Sequence, residues 1–162
     1  MWLRIKSLSV IMCCGLFFLV SCDGTEFNNP AFQADLNYNL WRADAFSANY
    51  DASGNLVIRG TNNIETVILT LQNPNVGTQR LGTLYNSKAD FIDGFGTVFT
   101  TAIEPDEEVS IYLDLGEVEI TQINTASNRV SGNFYFTAYD EEGQNPVGLS
   151  NGIFFEVKIQ EN

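Results

Sequence analysis

Cys22 is the residue whose setting most directly indicates chemistry. It follows the thirteen uncharged residues 8–20, and the basic residues Arg4 and Lys6 precede that run. A basic start and an apolar run of this length are typical of a signal peptide, and the run is short for a transmembrane helix. A thiol at its end would be a nucleophile presented at the membrane face, and the small Ser21 would leave the adjoining peptide bond open to a peptidase.

The segment Leu19-Val20-Ser21-Cys22 resembles the lipobox of bacterial lipoproteins. The resemblance implies a diacylglyceryl thioether on the Cys22 sulfur, cleavage after Ser21, and acylation of the new amine, for example by palmitate. Each buried methylene contributes about 0.8 kcal/mol, so two or three chains anchor stably. The alternative is an ordinary signal followed by a structural cysteine. The predicted organisation is a lipoprotein signal peptide over 1–21, the lipidated cysteine and a tether over 22–30, and one all-β domain over 31–162.

The chemistry left to the mature chain is limited by what it lacks. The sequence has no histidine, and Cys13 and Cys14 lie in the segment predicted to be removed. With Cys22 lipidated, no free thiol remains, which excludes Ser-His-Asp and Cys-His catalysis, the usual zinc sites and a disulfide within the domain. A phosphate loop and a dinucleotide fingerprint are also absent. We therefore expect a protein that is not an enzyme and has no cofactor.

Carboxylates keep one enzymatic alternative open, a glycan hydrolase. That reaction needs two carboxyl groups about 5–10 Å apart across the sugar. Asp44, Asp114, Glu117 and Glu119 lie on or near predicted strands and could converge. Acidic residues on the polar face of a sheet are more often simply solvated.

Calcium is the metal ion that the composition favours, because it takes oxygen ligands. Three acidic loops could supply them: "DASGN" (51–55), "EPDEE" (104–108) and "DEEGQN" (140–145). None has EF-hand spacing, and "DASGN" is also explained as a hairpin turn. The candidate ligands are Asp51, Asp106, Asp140 and Glu142.

The charge of the mature chain bears on its partners. Removing residues 1–21 takes two of the eight basic residues and none of the 20 acidic ones, which leaves a net charge of −14. A polyanion repels phosphate backbones, so nucleic-acid binding is not expected. The charge also favours solubility in a crowded envelope.

The carboxylates named above are predicted to lie on β-strands and the turns between them. Period-two alternation with intervening turn residues recurs from Ala31 onwards and indicates nine or ten strands. Only residues 85–96 could hold a short helix or turn. The predicted fold is an antiparallel β-sandwich, and the alternative is a closed, lipocalin-like meander β-barrel that could bind a small ligand.

Four aromatic residues define a possible binding face. In the last strand, alternation places Ile153, Phe155, Val157 and Ile159 on the apolar side and Phe154 opposite them. Tyr112, Tyr135 and Tyr139 likewise fall opposite the apolar stripes of their strands. Outward-facing rings could stack on a glycan or bind an envelope protein. The alternative is that these rings pack under loops.

Three segments resemble a family of small lipoproteins of unknown function from Bacteroidetes-type bacteria: "FQADLNYNLWRADAF", "LGTLY" and "VSGNFYFTAYDEEGQNPVGLSNGIFFEV". The resemblance covers 31–159. It implies a β-rich envelope protein and supplies no catalytic residues. In the closing segment Gly132 and Gly152 are predicted to permit a bulge or close contact, and "SNG" (150–152) a tight turn. We therefore predict a lipid-anchored outer-membrane protein with a binding, accessory or structural role.

Overall fold

A computed structural model describes residues 31–106 and 115–160. Within these ranges the chain forms eleven strands and no helix, so the predicted all-β fold is confirmed. No helical segment there offers the length and hydrophobicity that a membrane crossing requires. The strands are β1 (Ala31–Leu36), β2 (Asn39–Arg42), β3 (Ala45–Tyr50), β4 (Leu56–Thr61), β5 (Thr66–Leu71), β6 (Gly77–Arg80), β7 (Lys88–Ile92), β8 (Val98–Thr100), β9 (Gly116–Asn124), β10 (Arg129–Tyr139) and β11 (Pro146–Gln160).

The strands form a sandwich-like arrangement in two parts. The hydrogen-bonded order is β2-β1-β11-β3-β4-β5-β7-β8-β10-β9-β6, and β11 also pairs with β10. One part contains β6, β9, β10, β11, β1 and β2, and the other contains β3, β4, β5, β7 and β8. Short pairings join them, at Tyr139–Thr100 and at Ile159–Ala48. The β11–β3 pairing is parallel, in contrast to the other strand pairs described.

The core lies between the two parts. Alternation on β4 and β5 buries Leu56, Ile58, Val67 and Leu69 completely, as period-two burial requires. From the other part, the buried Phe32 ring lies so close to Gly60 that a Cβ there would come within 2.7 Å of the ring. The absent side chain at Gly60 is what lets the two parts approach.

Strand β11 differs from its prediction because it contains two bulges. Its inward residues include Phe154, Val157 and Ile159, whereas alternation had placed Phe154 opposite the other two. Val130 pairs with Val157 and Gly132 with Phe154, so an extra residue lies between them on β11. Glu156 takes it up with φ = 53°. A bulge of this kind reverses which side chains face the core.

The second bulge replaces the tight turn predicted at "SNG". Strand β11 continues through residues 150–152, with Asn151 at φ = 50°. Phe134 pairs with Gly152 and Phe136 with Leu149, so two β11 residues lie opposite Tyr135. Gly152 makes the predicted close contact, since a Cβ would lie 2.6 Å from the Phe134 ring.

Residues 85–96, predicted to hold a short helix or turn, contain a strand and a turn but no helix. Lys88–Ile92 forms β7, which pairs with β5 and β8. Asp90 is buried there and its Oδ2 forms an ion pair with Lys88 Nζ at 2.9 Å. Because Lys88 and Asp90 form this ion pair, both fit into a strand that the sequence pattern did not clearly indicate. The strand predicted to contain Tyr112 falls mostly outside the described residues.

Candidate functional site

An open cleft of about 780 Å³ lies on the outer face of the β9–β10–β11 sheet. Strand alternation builds it, because residues between the buried positions of β9 and β10 face outward. The outward residues are Glu117 and Glu119 on β9, and Asn133, Tyr135 and Thr137 on β10. A cleft of this volume suits a small molecule or a short polymer segment.

Cross-strand register arranges the floor of the cleft in two rows. In the first row, Glu117 pairs with Tyr135 of β10 and Arg80 of β6. In the second row, Glu119 pairs with Asn133 and Thr78. Each row therefore carries a carboxylate next to a group that can bind a ligand.

Polar contacts hold these rows in place. Arg80 Nε lies 3.7 Å from Glu117 Oε1, and Asn133 Nδ2 donates to Glu119 Oε2 at 3.3 Å. Glu119 is exposed and the Glu117 side chain is 30% exposed. Two of the four carboxylates predicted for a hydrolase, Glu117 and Glu119, thus meet in one cleft, but neither is buried, whereas a general acid needs a desolvated setting. Asp44 is exposed on the link between β2 and β3, and Asp114 lies outside the described residues.

The bulge at 150–152 forms one wall. Two residues, Ser150 and Asn151, lie opposite Tyr135 and line the cleft. Asn151 Nδ2 donates to Asp35 Oδ2 of β1 at 2.8 Å, which fixes its orientation. The bulge therefore places extra polar groups beside the aromatic ring.

The β1–β2 turn forms the rim. Asn37 and Tyr38 both have positive φ, 49° and 66°, as a two-residue hairpin turn requires. The Tyr38 side chain is fully exposed and lines the cleft. Sequence reasoning missed this residue, although "NYN" between two strand-like runs was an available turn signal.

The predicted aromatic face is only partly present. Tyr135 is 42% exposed and lies in the cleft. Tyr139 and Phe154 are fully buried, so their assignment to an exposed face was wrong. Tyr139 pairs with Thr100 of β8, which covers that end of β10, and the Glu156 bulge turns Phe154 into the core. Tyr112 lies outside the described residues.

Across the part of the chain that the structure describes, the candidate calcium ligands do not converge on one site, and two of them, Asp51 and Asp140, act as hydrogen-bond acceptors within their own turns. Asp51 accepts from Asn55 Nδ2 at 2.8 Å and from the Ser53 and Asn55 amides. Asp140 accepts from Asn145 Nδ2 and from the Gln144 and Asn145 amides. In each loop the side-chain amide contributes most to lowering the carboxyl pKa below its usual value, and backbone amides add to it.

A third loop, 93–97, repeats the same device and was not predicted. Asp93 accepts from the amides of Phe95 and Thr97 at 2.9 and 2.8 Å. Desolvation opposes ionisation there, yet these two amides together lower the pKa of Asp93. The three loops share the pattern D-x-x-G, with each glycine at positive φ.

The other candidate ligands are separate from Asp51. The Asp106 amide donates to the Gly143 carbonyl at 2.9 Å, so the 104–106 segment lies beside the loop that contains Asp140 and Glu142. Over the described ranges, no group of three or more His, Cys, Asp or Glu side chains could hold a metal ion. Ser21 and Cys22 lie outside those ranges, so their predicted roles stay predictions.

Comparison with known proteins gave one match. The model of a family described as a domain of unknown function (DUF6252) matches residues 28–158. This agrees with the predicted resemblance to a family of unknown function over 31–159. No curated protein and no solved structure matches the chain significantly.

Proposed function

The chain belongs to the DUF6252 family of domains of unknown function, and from that premise we propose that it is a lipid-anchored envelope protein whose cleft binds a neutral glycan. The observation that carries the binding role is the cleft itself, with Tyr135 in its floor and Tyr38 at its rim. The anchor rests on the signal-peptide pattern that ends at Cys22, and we place the protein at the outer membrane.

The lining favours a neutral, hydroxyl-rich ligand. The apolar face of a sugar packs well on an aromatic ring, and its hydroxyls pair with amide and carboxylate groups. Among the described residues, those that line the cleft include no lysine or arginine; Arg80 lies beside the cleft, paired with Glu117. The carboxylates of the lining would repel phosphates and acidic sugars. Binding is favoured over hydrolysis because Glu117 and Glu119 are both accessible to solvent.

The conformation of Tyr38 supports the same role. A non-glycine residue at φ = 66° is held in a sparsely populated region. Glycine would fit this position more easily. Strain of this kind clusters at functional sites, and here it presents an aromatic ring over the cleft.

The binding test compares two tyrosines of similar exposure. Tyr135 lies in the cleft at 42% exposure, and Tyr50, at the end of β3, is 39% exposed and outside it. The lipoprotein is applied in detergent to an array of neutral and acidic glycans. We expect Tyr135→Ala to weaken binding to the best neutral glycan about tenfold, equivalent to about 1.4 kcal/mol, and Tyr50→Ala to leave it unchanged. Equal effects of both variants would contradict the proposal, as would binding restricted to acidic glycans.

A second variant separates binding from folding. Tyr38→Gly removes the ring and relieves the positive-φ cost, so we expect unchanged or raised thermal stability together with weaker glycan binding. Unaltered affinity in this variant would show that the rim does not contact the ligand.

The anchor has its own test. Mass spectrometry of the purified mature protein should give an N-terminus at Cys22 that carries acyl chains. Cys22→Ser should abolish acylation and cleavage after Ser21, so that the protein keeps residues 1–21. A mature chain that keeps a free Cys22 thiol would refute the lipid anchor. The result of the glycan-binding assay does not depend on that outcome.

A further inference from the structure

We propose that the end of the domain next to the tether docks onto the lipid surface through an apolar tip formed by Ile64, Phe95 and Val98. This inference rests on the proposed anchor at Cys22. It adds a second membrane contact, made by the folded domain itself, and with it a fixed orientation of the domain.

The tip consists of two neighbouring turns. Ile64 lies in the β4–β5 turn and Phe95 in the β7–β8 turn, and their side chains are 70% and 97% exposed. Gly94 lies against Ile64 so closely that a Cβ at Gly94 would overlap the Ile64 side chain. Val98 begins β8 directly after the second turn and is also exposed. The three side chains therefore form one apolar tip rather than scattered exposed residues, which are common and carry little meaning.

Both turns are held rigidly by the same kind of bond. Asn62 Oδ1 accepts from the amides of Ile64 and Glu65 at 2.9 and 2.6 Å. In the other turn, Asp93 Oδ1 accepts from the amide of Phe95 at 2.9 Å. The apolar side chains are exposed because ordered turns point them outward.

A continuous series of backbone bonds connects this tip with the start of the domain. The Ala43 amide donates to the Phe32 carbonyl at 3.0 Å, and the Asp44 amide donates to the Thr61 carbonyl at 2.9 Å. Thr61 pairs with Thr66, which flanks the Ile64 turn. The first residues of β1 and the tip therefore lie at one end of the molecule.

The tether keeps that end close to the membrane. Residues 23–30 separate Cys22 from Ala31, and eight extended residues span at most about 26 Å. In the opposite direction β1 runs towards the Asn37–Tyr38 turn. Docking of the tip would leave the rim of the cleft pointing away from the bilayer.

The charges around the tip select the kind of lipid. Asp44 is exposed, and Glu65 and Asp93 lie within or beside the turns. These carboxylates would be repelled by anionic headgroups. We therefore assign a zwitterionic lipid surface as the occupant, with insertion driven by apolar burial.

The experiment labels the tip and a matched control at the far end. Leu84 is 86% exposed and lies in the loop before Lys88, at the end of β7 opposite the Phe95 turn. Full-length lipoprotein carrying Phe95→Cys, Ile64→Cys or Leu84→Cys is labelled with an environment-sensitive fluorophore. Each is reconstituted in phosphatidylcholine–phosphatidylethanolamine vesicles containing nitroxide-labelled lipid.

We expect blue-shifted emission and quenching by the nitroxide lipid at positions 64 and 95, and neither at position 84. Adding phosphatidylglycerol should reduce the quenching. Vesicle-bound protein whose labels at 64 and 95 behave like the label at 84 would overturn the docking while leaving the anchor intact. A blue shift that depends on protein concentration without lipid quenching would also overturn it, because a second copy or another protein would then cover the tip.

The wild-type chain reports on the anchor separately. With Cys22 acylated it should take up no thiol label and should float with the vesicles. Uptake of label together with loss of flotation would refute the anchor, and the docking with it.

Discussion

Substitution of Gly152 by alanine tests the packing that shapes both the core and the cleft. Gly152 lies in the bulge of β11, and a Cβ there would come within 2.6 Å of three atoms of the Phe134 ring. Ordinary contacts of this kind are 3.4–4 Å. The ring would therefore have to move by most of an ångström.

Its surroundings leave the Phe134 ring little room to move. The Phe134 centroid lies 5.3 Å from Phe32, 6.1 Å from Phe136 and 6.5 Å from Phe154. All four rings are buried. Overpacking of such a site costs about 1–3 kcal/mol, so we expect Gly152→Ala to lower the free energy of unfolding by this amount.

Gly148 on the same strand is the matched control. It has nothing within 4 Å of an added Cβ and no positive φ. Gly148→Ala should be neutral or stabilise the fold by about 0.4–1 kcal/mol, because it reduces the entropy of the unfolded chain.

Urea denaturation followed by circular dichroism measures both variants. The two free energies of unfolding should differ by about 1–4 kcal/mol. A domain of this size shifts in Tm by roughly 4 °C per kcal/mol. Equal stability of the two variants would refute the packing described for β11.

Two further predictions concern a buried threonine and the aspartates of three loops. Thr101 is fully buried and its Oγ1 accepts a hydrogen bond from the Ala89 amide at 3.0 Å. Thr101→Val should therefore lower the free energy of unfolding by about 1–3 kcal/mol, whereas Thr101→Ser should lose only the packing of the methyl group. A valine variant as stable as the wild type in urea would contradict a stabilising role of this hydrogen bond. The lowered pKa values of Asp51, Asp93 and Asp140 mean that their carboxylates stabilise the fold above the unfolded value of 3.8 and that this contribution is lost as the pH falls through the lower folded values. The urea midpoint should therefore be flat from about pH 7 to 5 and should fall below about pH 4, and a triple Asp→Asn variant that keeps the same acid dependence would disprove the assignment.

Local alternation was enough to predict much of the fold. Period-two alternation was predicted from Ala31 onwards, and the alternate β4 residues Leu56 and Ile58 are buried in the core. The "DASGN" turn forms, with the Gly54 amide donating to the Asp51 carbonyl at 3.0 Å. These features depend on residues that are close in sequence.

The wrong predictions, for Phe154 and Tyr139, concern side chains whose burial depends on contacts between distant segments of the chain. Whether Phe154 faces the core depends on the bulge at Glu156, which is stabilised from β10: its amide donates to Ser131 Oγ at 2.9 Å and its carbonyl accepts from Arg129 at 2.8 Å. Tyr139 is fully buried where β10 meets β8, a pairing between segments distant in the sequence. Alternation within a single strand cannot reveal either effect.

The candidate site was partly predictable for the same reason. Tyr135 and the two carboxylates Glu117 and Glu119 were identified separately, because each faces outward from its own strand. Their union in one cleft depends on the β9–β10 register, and the part played by Asn151 depends on the β11 bulge. Pairing between strands, rather than residue type, assembles the site.

The central claim is that the outer-face cleft is the ligand site, and backbone amide shifts test it most directly. The isotope-labelled lipoprotein in nanodiscs is titrated with the best-binding soluble oligosaccharide from the array. Saturable shifts should cluster at Glu117, Asn133, Tyr135 and Ser150 if the ligand binds in this cleft. Shifts that instead cluster around the separate depression lined by Asn73, Val76 and Tyr85, or no saturable shifts at all, would contradict this claim.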